Sequence, residues 1–299
     1  MRGAAGFSHL LAWIGVGVGV VASGCAGPAT SAPPTEAHLP RGPSLSTHPA
    51  FGRALPRVGE RQAQHTELRM DLRVDVVDGG RESRHDEGSV TDILDVVEEI
   101  TEVSNGVVTA VRVTVRRAEN RRSAGVTVGA ARAALEMTGR VYVLRASHGG
   151  APELQREDGA PVTAEERDRL PQQYNWLGRE DLIAKALPKG QVVVGTEVPD
   201  LVDAVGAWLA QRQRESQKTS GHVVVRAVGS DVVVFDLTLK NTTHTNRLDV
   251  ASDLRGELQV ELATGRTRLL RLAGPYELKG TGVTGSGTLT VVVESKAVP

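Results

Sequence analysis

Two groups of histidine and acidic residues are the chain's candidates for a metal site. His65 and Glu67 are two residues apart, so both side chains would share one face of a strand, and His85, Asp86 and Glu87 follow one another in a polar stretch that reads as a loop. A catalytic zinc needs three protein ligands that converge. No H-E-x-x-H or H-x-H pattern concentrates such ligands. We therefore expect no metal and no other cofactor, and we interpret both groups as solvated loop or strand-edge residues.

Two glycine-rich motifs match known functional signatures in sequence but lack the neighbouring residues that each function requires. Gly280, Gly282 and Gly285 have the spacing G-x-G-x-x-G, but nucleotide binding requires a helix to begin directly afterwards, and a strand-like run follows at 288–293. Residues 147–150 (Ser-His-Gly-Gly) match the oxyanion loop of esterases, whose chemistry also needs a nucleophile on a sharp elbow, and the chain contains no G-x-S-x-G. We interpret both motifs as turns and expect no catalytic residue.

Cys25 is the single cysteine of the chain and ends an N-terminal segment with three parts. Residues 1–9 carry Arg2 and the free amine, residues 10–21 are uncharged, and residues 22–24 are small. A basic head, an apolar stretch and small residues, in this order, are typical of a secretory signal. Twelve helical residues reach about 18 Å, less than the hydrocarbon core of about 30 Å, so we do not expect a spanning helix here.

The stretch 21–25, Val-Ala-Ser-Gly-Cys, resembles the lipobox of bacterial lipoproteins. The resemblance implies cleavage between Gly24 and Cys25, a diacylglycerol on the Cys25 thiol and an acyl chain such as palmitate on its amine. Ala22 departs from the family, which favours Leu, Val or Ile there. Ala26, in place of Asp, implies an outer-membrane location facing the periplasm. The alternative is an ordinary signal peptide that is cleaved near Ala26 and leaves no anchor.

The bilayer is the partner that this resemblance implies. An exported chain with one cysteine cannot form an internal disulfide, so the thiol of Cys25 is available for lipid. Two or more acyl chains hold a protein stably on a membrane, whereas one chain binds only marginally. The 35 basic and 36 acidic residues are nearly balanced, and Trp, Tyr and Phe number three each. This composition argues against nucleic-acid binding, which requires a concentrated basic face or stacking aromatic residues.

Composition divides the chain into three parts. Residues 1–24 are the predicted signal peptide, and residues 25–64 are rich in Pro, Ser, Thr and Ala without apolar periodicity, which predicts a lipidated cysteine and a disordered tether. Residues 65–299 form the predicted folded body. Within it we expect two β halves at 65–160 and 220–299, related either by a weak duplication or by chance, around a helical insert at 161–215.

The body is predicted to be mainly β, an α+β arrangement of antiparallel meanders. Apolar and charged residues alternate over 68–76, and Asn105-Gly106 between two valine-rich runs is a strong hairpin signal. Thr163 begins a capping box, and Pro199 begins an amphipathic helix that carries Trp208. Further strands are expected at 135–144, 153–155, 223–228, 232–239, 257–262, 269–276 and 289–294. We expect a half-barrel or curved sheet with two or three helices packed on it.

The order strands, helices, strands loosely resembles the half-barrel carriers of lipoproteins and lipids in bacterial envelopes. This resemblance is one of outline and assigns no functional residue. We expect a non-enzymatic protein, either a scaffold for envelope proteins or a module that binds an apolar ligand. The helical face with Trp208 either packs into the core or encloses a cavity with the sheet. The alternative function is a hydrolase whose site is assembled only by the fold.

Overall fold

The computed structural model describes residues 49–78, 81–122, 136–147, 151–211, 217–244 and 248–298. The first strands are β1 (Arg61–Asp78), β2 (Arg81–Ser104), β3 (Val107–Arg122), β4 (Val141–Arg145) and β5 (Glu153–Arg156). The helices are α1 (Ala164–Gln173), α2 (Leu182–Ala186) and α3 (Pro199–Gln211). The last strands are β6 (Gln217–Val228), β7 (Val232–His244), β8 (Leu248–Glu261), β9 (Thr267–Gly280) and β10 (Val283–Ala297). Gly24, Cys25 and His148 lie outside the described residues.

All described strands belong to one open antiparallel sheet with the order β5-β4-β3-β2-β1-β10-β9-β8-β7-β6. Strands β1 to β5 and strands β6 to β10 each pair in sequence order, β1 also pairs with β10 and so joins the two meanders, and β5 and β6 lie at opposite edges. The predicted fold class is therefore confirmed: the protein is mainly β, with three described helices. None of the helices in the described ranges is long and apolar enough to cross a membrane.

Local sequence signals predicted several turns and helix starts that the structure contains. Asn105 and Gly106 have φ of 52° and 78° and connect β2 to β3, as the hairpin signal predicted. Gly282, with φ of 72°, lies in the hairpin between β9 and β10, so a strand follows the G-x-G-x-x-G motif. The side chain of Thr163 accepts a hydrogen bond from the Glu166 N–H, which confirms the capping box at α1.

One strand prediction is wrong in its first half. A strand was expected over 135–144, but β4 begins at Val141, after two helical residues and a turn. Gly139 has φ of 85°, a left-handed conformation that a strand residue does not adopt, and the Arg140 N–H donates to the carbonyl of Met137. The strand therefore begins only after this turn, at Val141.

Residues 49–60, which we name the strap, correct the predicted boundary at residue 65. The predicted tether ran to residue 64, but the strap contacts the sheet and β1 begins at Arg61. The Gly52 N–H donates to the Leu262 carbonyl at 2.8 Å, and the Phe51 ring stacks on Phe235 with a centroid distance of 6.2 Å. Composition did not show these contacts because they join segments that are about 200 residues apart in the chain.

The helices cover one face of the sheet, which we call the inner face. On one side α3 buries Leu201 and Val205 against β6–β9, around Phe235. On the other side Leu170 of α1 packs with the buried residues of β2, β3 and β4. Some glycines lie close to a neighbouring strand: a Cβ atom at Gly256 or Gly287 would be 1.8 Å from a carbonyl oxygen. These two separate buried clusters are the helix-covered cores of the inner face.

Candidate functional site

A cavity of about 570 Å³ lies on the inner face between the two helix-covered cores. Its floor is formed by residues of β1, β2, β3, β9 and β10, and residues of α2 also line it. The strap closes one side, and the turn after α1 and the end of α3 supply the others. The cavity is therefore assembled from strands of both halves of the sheet, from the strap, and from the helical segment between the two halves.

The walls of the cavity are largely apolar. Trp176 and Trp208 both line it, together with Phe51, Ile183 and Leu187. Trp208 belongs to the predicted apolar stripe of α3, where it packs partly against the core and partly faces the cavity. The two interpretations of that stripe, core packing and cavity wall, thus apply to different parts of the same helix face.

The floor of the cavity holds a buried carboxyl group. Glu98 of β2 is 3 % exposed, and its carboxyl accepts hydrogen bonds from Gln62 Nε2 at 2.8 Å and from the Tyr174 hydroxyl at 2.7 Å. Burial raises the pKa of Glu98, because these two neutral donors do not offset the loss of water. The group can therefore hold a proton at a pH where an ordinary glutamate is charged, which makes it a hydrogen-bond donor as well as an acceptor.

Sequence reasoning missed Glu98. It lies in the stretch Val-Val-Glu-Glu-Ile, whose apolar residues also fit helical spacing. The usable signal is the period of two through Leu94 and Val96, both buried, which continues through Glu98 on the same face of β2. A charged residue at a core-facing position of a strand is a stronger indication of a site than a charged loop.

The carboxylates at the rim of the cavity have partners. Arg266 donates to Glu60 at 2.8 Å, and Lys185 pairs with Glu180 at 2.5 Å. Asp181 caps α2 by accepting from the backbone N–H groups of its first turn, at 3.0 and 3.1 Å. Arg53 and Arg179 also line the cavity, and neither has an ion-pair partner within the described residues. The rim therefore carries uncompensated positive charge.

His65 and His85, from the two groups singled out in the sequence, lie on the outer face of the sheet. His65 of β1 contacts Asp95 at 2.5 Å, and its other ring nitrogen is 3.8 Å from Glu67. Ten residues along β1, Asp75 pairs with His85, so these two histidines are about 33 Å apart along the strand. Within the described ranges, no three His, Cys, Asp or Glu residues are arranged to hold a metal ion.

The loop predicted at 85–87 is wrong, because these residues belong to β2 and pair with β1. His85 Nδ1 lies 2.5 Å from Asp75, and Nε2 lies 3.3 Å from Glu87. The hydrogen bond to Asp75, and to a smaller extent the one to Glu87, raises the pKa of His85. The alternation of polar residues here marks the solvated face of a strand.

A second depression, of about 690 Å³, lies further along the sheet. It crosses β1, β2, β9 and β10 where Gly88 and Gly287 lack side chains, and charged residues such as Asp71 and Arg73 surround it. It is more open than the inner cavity, and no described helix residue lines it. The inner cavity is the better candidate because it is enclosed by several elements and contains a buried polar group.

Comparisons with known proteins give only distant likenesses. No protein-family model matches the chain, and none of the curated proteins matches it. A lipovitellin structure is similar with a TM-score of 0.39 and 9% identity, over 81% of this chain and 26% of that chain. An outer membrane channel from Pseudomonas putida F1 is similar with a TM-score of 0.22 and 10% identity, over 85% of this chain and 99% of that chain. The chain thus spans about a quarter of the lipovitellin chain, and neither likeness assigns a function.

Proposed function

We propose that the protein is a non-enzymatic lipoprotein of the cell envelope, anchored by acylated Cys25 in the outer membrane and facing the periplasm, whose body binds an apolar ligand. The observation that carries the binding role is the cavity of about 570 Å³ between the helices and the sheet. Its volume falls in the range of about 300–1,000 Å³ that is typical of small-ligand sites. Its apolar walls and the buried carboxyl of Glu98 match the usual composition of such sites.

The aromatic residues support this role. The chain has three tryptophans, and two of them, Trp176 and Trp208, line the cavity. An acyl chain that lies against them leaves water, which contributes about 0.8 kcal/mol for each buried CH₂ group. We therefore infer a ligand with a single acyl chain or a similar apolar body.

The polar floor would orient the ligand. Glu98, Gln62 and Ser295 all line the cavity, and each has donors or acceptors that an apolar wall lacks. A hydroxyl, amide or ester group of the ligand would bind at this floor, with the hydrocarbon against the tryptophans. One polar contact among apolar walls fixes orientation without demanding a charged ligand.

A pair of serines on β10 provides the test of ligand binding. Ser295 faces the cavity, whereas Ser286 lies on the outer face of the same strand and is exposed. Ser295→Trp should fill the cavity and abolish the quenching of tryptophan fluorescence by a brominated fatty acid, whereas Ser286→Trp should leave the quenching unchanged. Equal binding by the two variants, or no binding by the parent chain, would contradict the ligand role and favour the scaffold.

Cys25→Ser tests the anchor separately. We expect the variant to leave the membrane fraction and to change its migration on a gel, because the acyl chains that hold it are absent. Labelling of cells with a radioactive fatty acid should mark the parent chain and not the variant. A parent chain that takes up no label would overturn the anchor and leave the cavity proposal untouched.

A further inference from the structure

The middle of the strap exposes apolar side chains. Leu55 is 70 % exposed and Val58 is 64 % exposed, and they are the two most exposed large apolar residues of the described part of the chain. They are three residues apart, on either side of Pro56 and Arg57. Neighbouring apolar residues exposed at one loop tip are typical of a surface that another partner covers.

The same loop is basic. Arg53 and Arg57 are exposed, and neither guanidinium has an ion-pair partner within the described residues. Residues 49–59 contain no acidic residue, and Glu60, which follows, is already paired with Arg266. The chain as a whole has a formal net charge of −1, so this positive charge is local to the strap.

The strap is held at both ends and projects between them. At one end the Ala54 N–H donates to the Thr264 carbonyl at 3.2 Å, and at the other the Gly59 N–H donates to the Ile100 carbonyl at 2.8 Å. Within the described residues, no main-chain hydrogen bond ties residues 55–58 to the sheet. Leu55 and Pro56 also line the cavity, so the projecting tip lies at its mouth.

We propose that residues 53–58 of the strap contact a bilayer surface that carries anionic headgroups. Leu55 and Val58 enter the boundary between headgroups and acyl chains, and Arg53 and Arg57 bind the phosphates. Aliphatic side chains flanked by basic residues are the pattern of an interfacial membrane contact. A protein partner is the weaker match, because the tip has no Tyr or Trp to serve as an anchor.

This contact would turn the cavity mouth towards the membrane. The cavity opens beside Leu55, so a ligand could pass between bilayer and cavity without crossing water. The inference concerns the strap alone and does not require that the cavity hold a ligand.

The test places a polarity-sensitive dye on the tip. The full chain carries Cys25→Ser, so that Leu55→Cys is its sole thiol, and it is mixed with vesicles of phosphatidylcholine with or without phosphatidylglycerol. We expect a blue shift of emission in the anionic vesicles that reverses in about 1 M salt, where the Debye length is about 3 Å. Arg53→Gln with Arg57→Gln should remove the shift.

The control position is Thr281, an exposed residue in the hairpin between β9 and β10. β1 pairs with β10 from Gln62–Ala297 to Val76–Val283, so Thr281 lies roughly 45 Å from the strap along the strands. The dye on Thr281→Cys should not respond to vesicles. Equal shifts at positions 55 and 281, or no shift at position 55, would overturn the proposal. Ser295→Trp should leave the shift unchanged, which separates this test from that of the cavity.

Discussion

Two buried glutamates of this protein have opposite surroundings. Glu166 of α1 is 1 % exposed, and it accepts hydrogen bonds from Tyr142 at 2.6 Å and from Arg140 at 2.5 Å. Burial acts to raise the pKa of Glu166, but these bonds and that from the Thr163 N–H outweigh it, so the pKa lies below its ordinary value. Glu98 is equally buried and has only neutral donors, so its pKa is raised.

The difference separates a structural group from a binding group. Glu166 joins the start of α1 to β4 through a charged hydrogen-bond network, and its lone pairs are used. Glu98 lines the cavity, and in the described part of the chain its carboxyl accepts from the neutral Gln62 and Tyr174. Burial of an acid without a compensating charge costs stability, so such a group is a better candidate for ligand contact than for fold maintenance.

Removal of Glu166 should have the largest effect on stability. Glu166→Ala leaves Arg140 without its buried partner and opens the capping box, so we expect a loss of about 3–5 kcal/mol in the free energy of unfolding. Urea denaturation followed by circular dichroism measures it. Glu165→Ala, an exposed neighbour in the same turn, is the control and should change this free energy by about 0.5 kcal/mol or less. Similar losses in both variants would show that the buried hydrogen bonds of Glu166 do not stabilise the fold.

The pH dependence of the two sites should differ in sign. The raised pKa of Glu98 gives a contribution to stability that is present below the ordinary value of about 4.3 and is lost as the pH rises through the folded-state pKa. The lowered pKa of Glu166 gives one that is present above the ordinary value and is lost as the pH falls.

Glu98→Gln should therefore gain stability relative to the parent chain as the pH rises from about 4 towards neutrality. The amide oxygen of the variant accepts from the Tyr174 hydroxyl, and the Gln62 side chain can turn so that its oxygen accepts from the new amide N–H, so the variant removes the charge and keeps both partners. Denaturation midpoints measured at a series of pH values check the prediction. A parent and variant that respond identically to pH would show that Glu98 is not the buried acid described.

Local signals predicted much of the fold and little of the site. The turn at Asn105-Gly106, the capping box at Thr163 and the helix that begins at Pro199 depend on residues close together in sequence. The cavity instead brings together Gln62 and Glu98 with side chains from α2, α3 and β10. No spacing rule relates those positions, because the pairing of β1 with β10 that unites them joins opposite ends of the body.

The strap shows the same limit. Its proline-rich composition indicates a disordered segment. The stacking of Phe51 on Phe235 cannot be predicted from local sequence, because it depends on the face that β7 presents in the folded sheet. Period-two alternation likewise puts His65, which the sequence singled out, on the outer face, opposite the cavity.

A native mass spectrum of the full Cys25→Ser chain, recovered without detergent, tests the central claim most directly. The proposed function predicts one apolar ligand per chain in the parent and in Ser286→Trp, and none in Ser295→Trp. Repeated spectra of the parent at the mass of the polypeptide alone would contradict it.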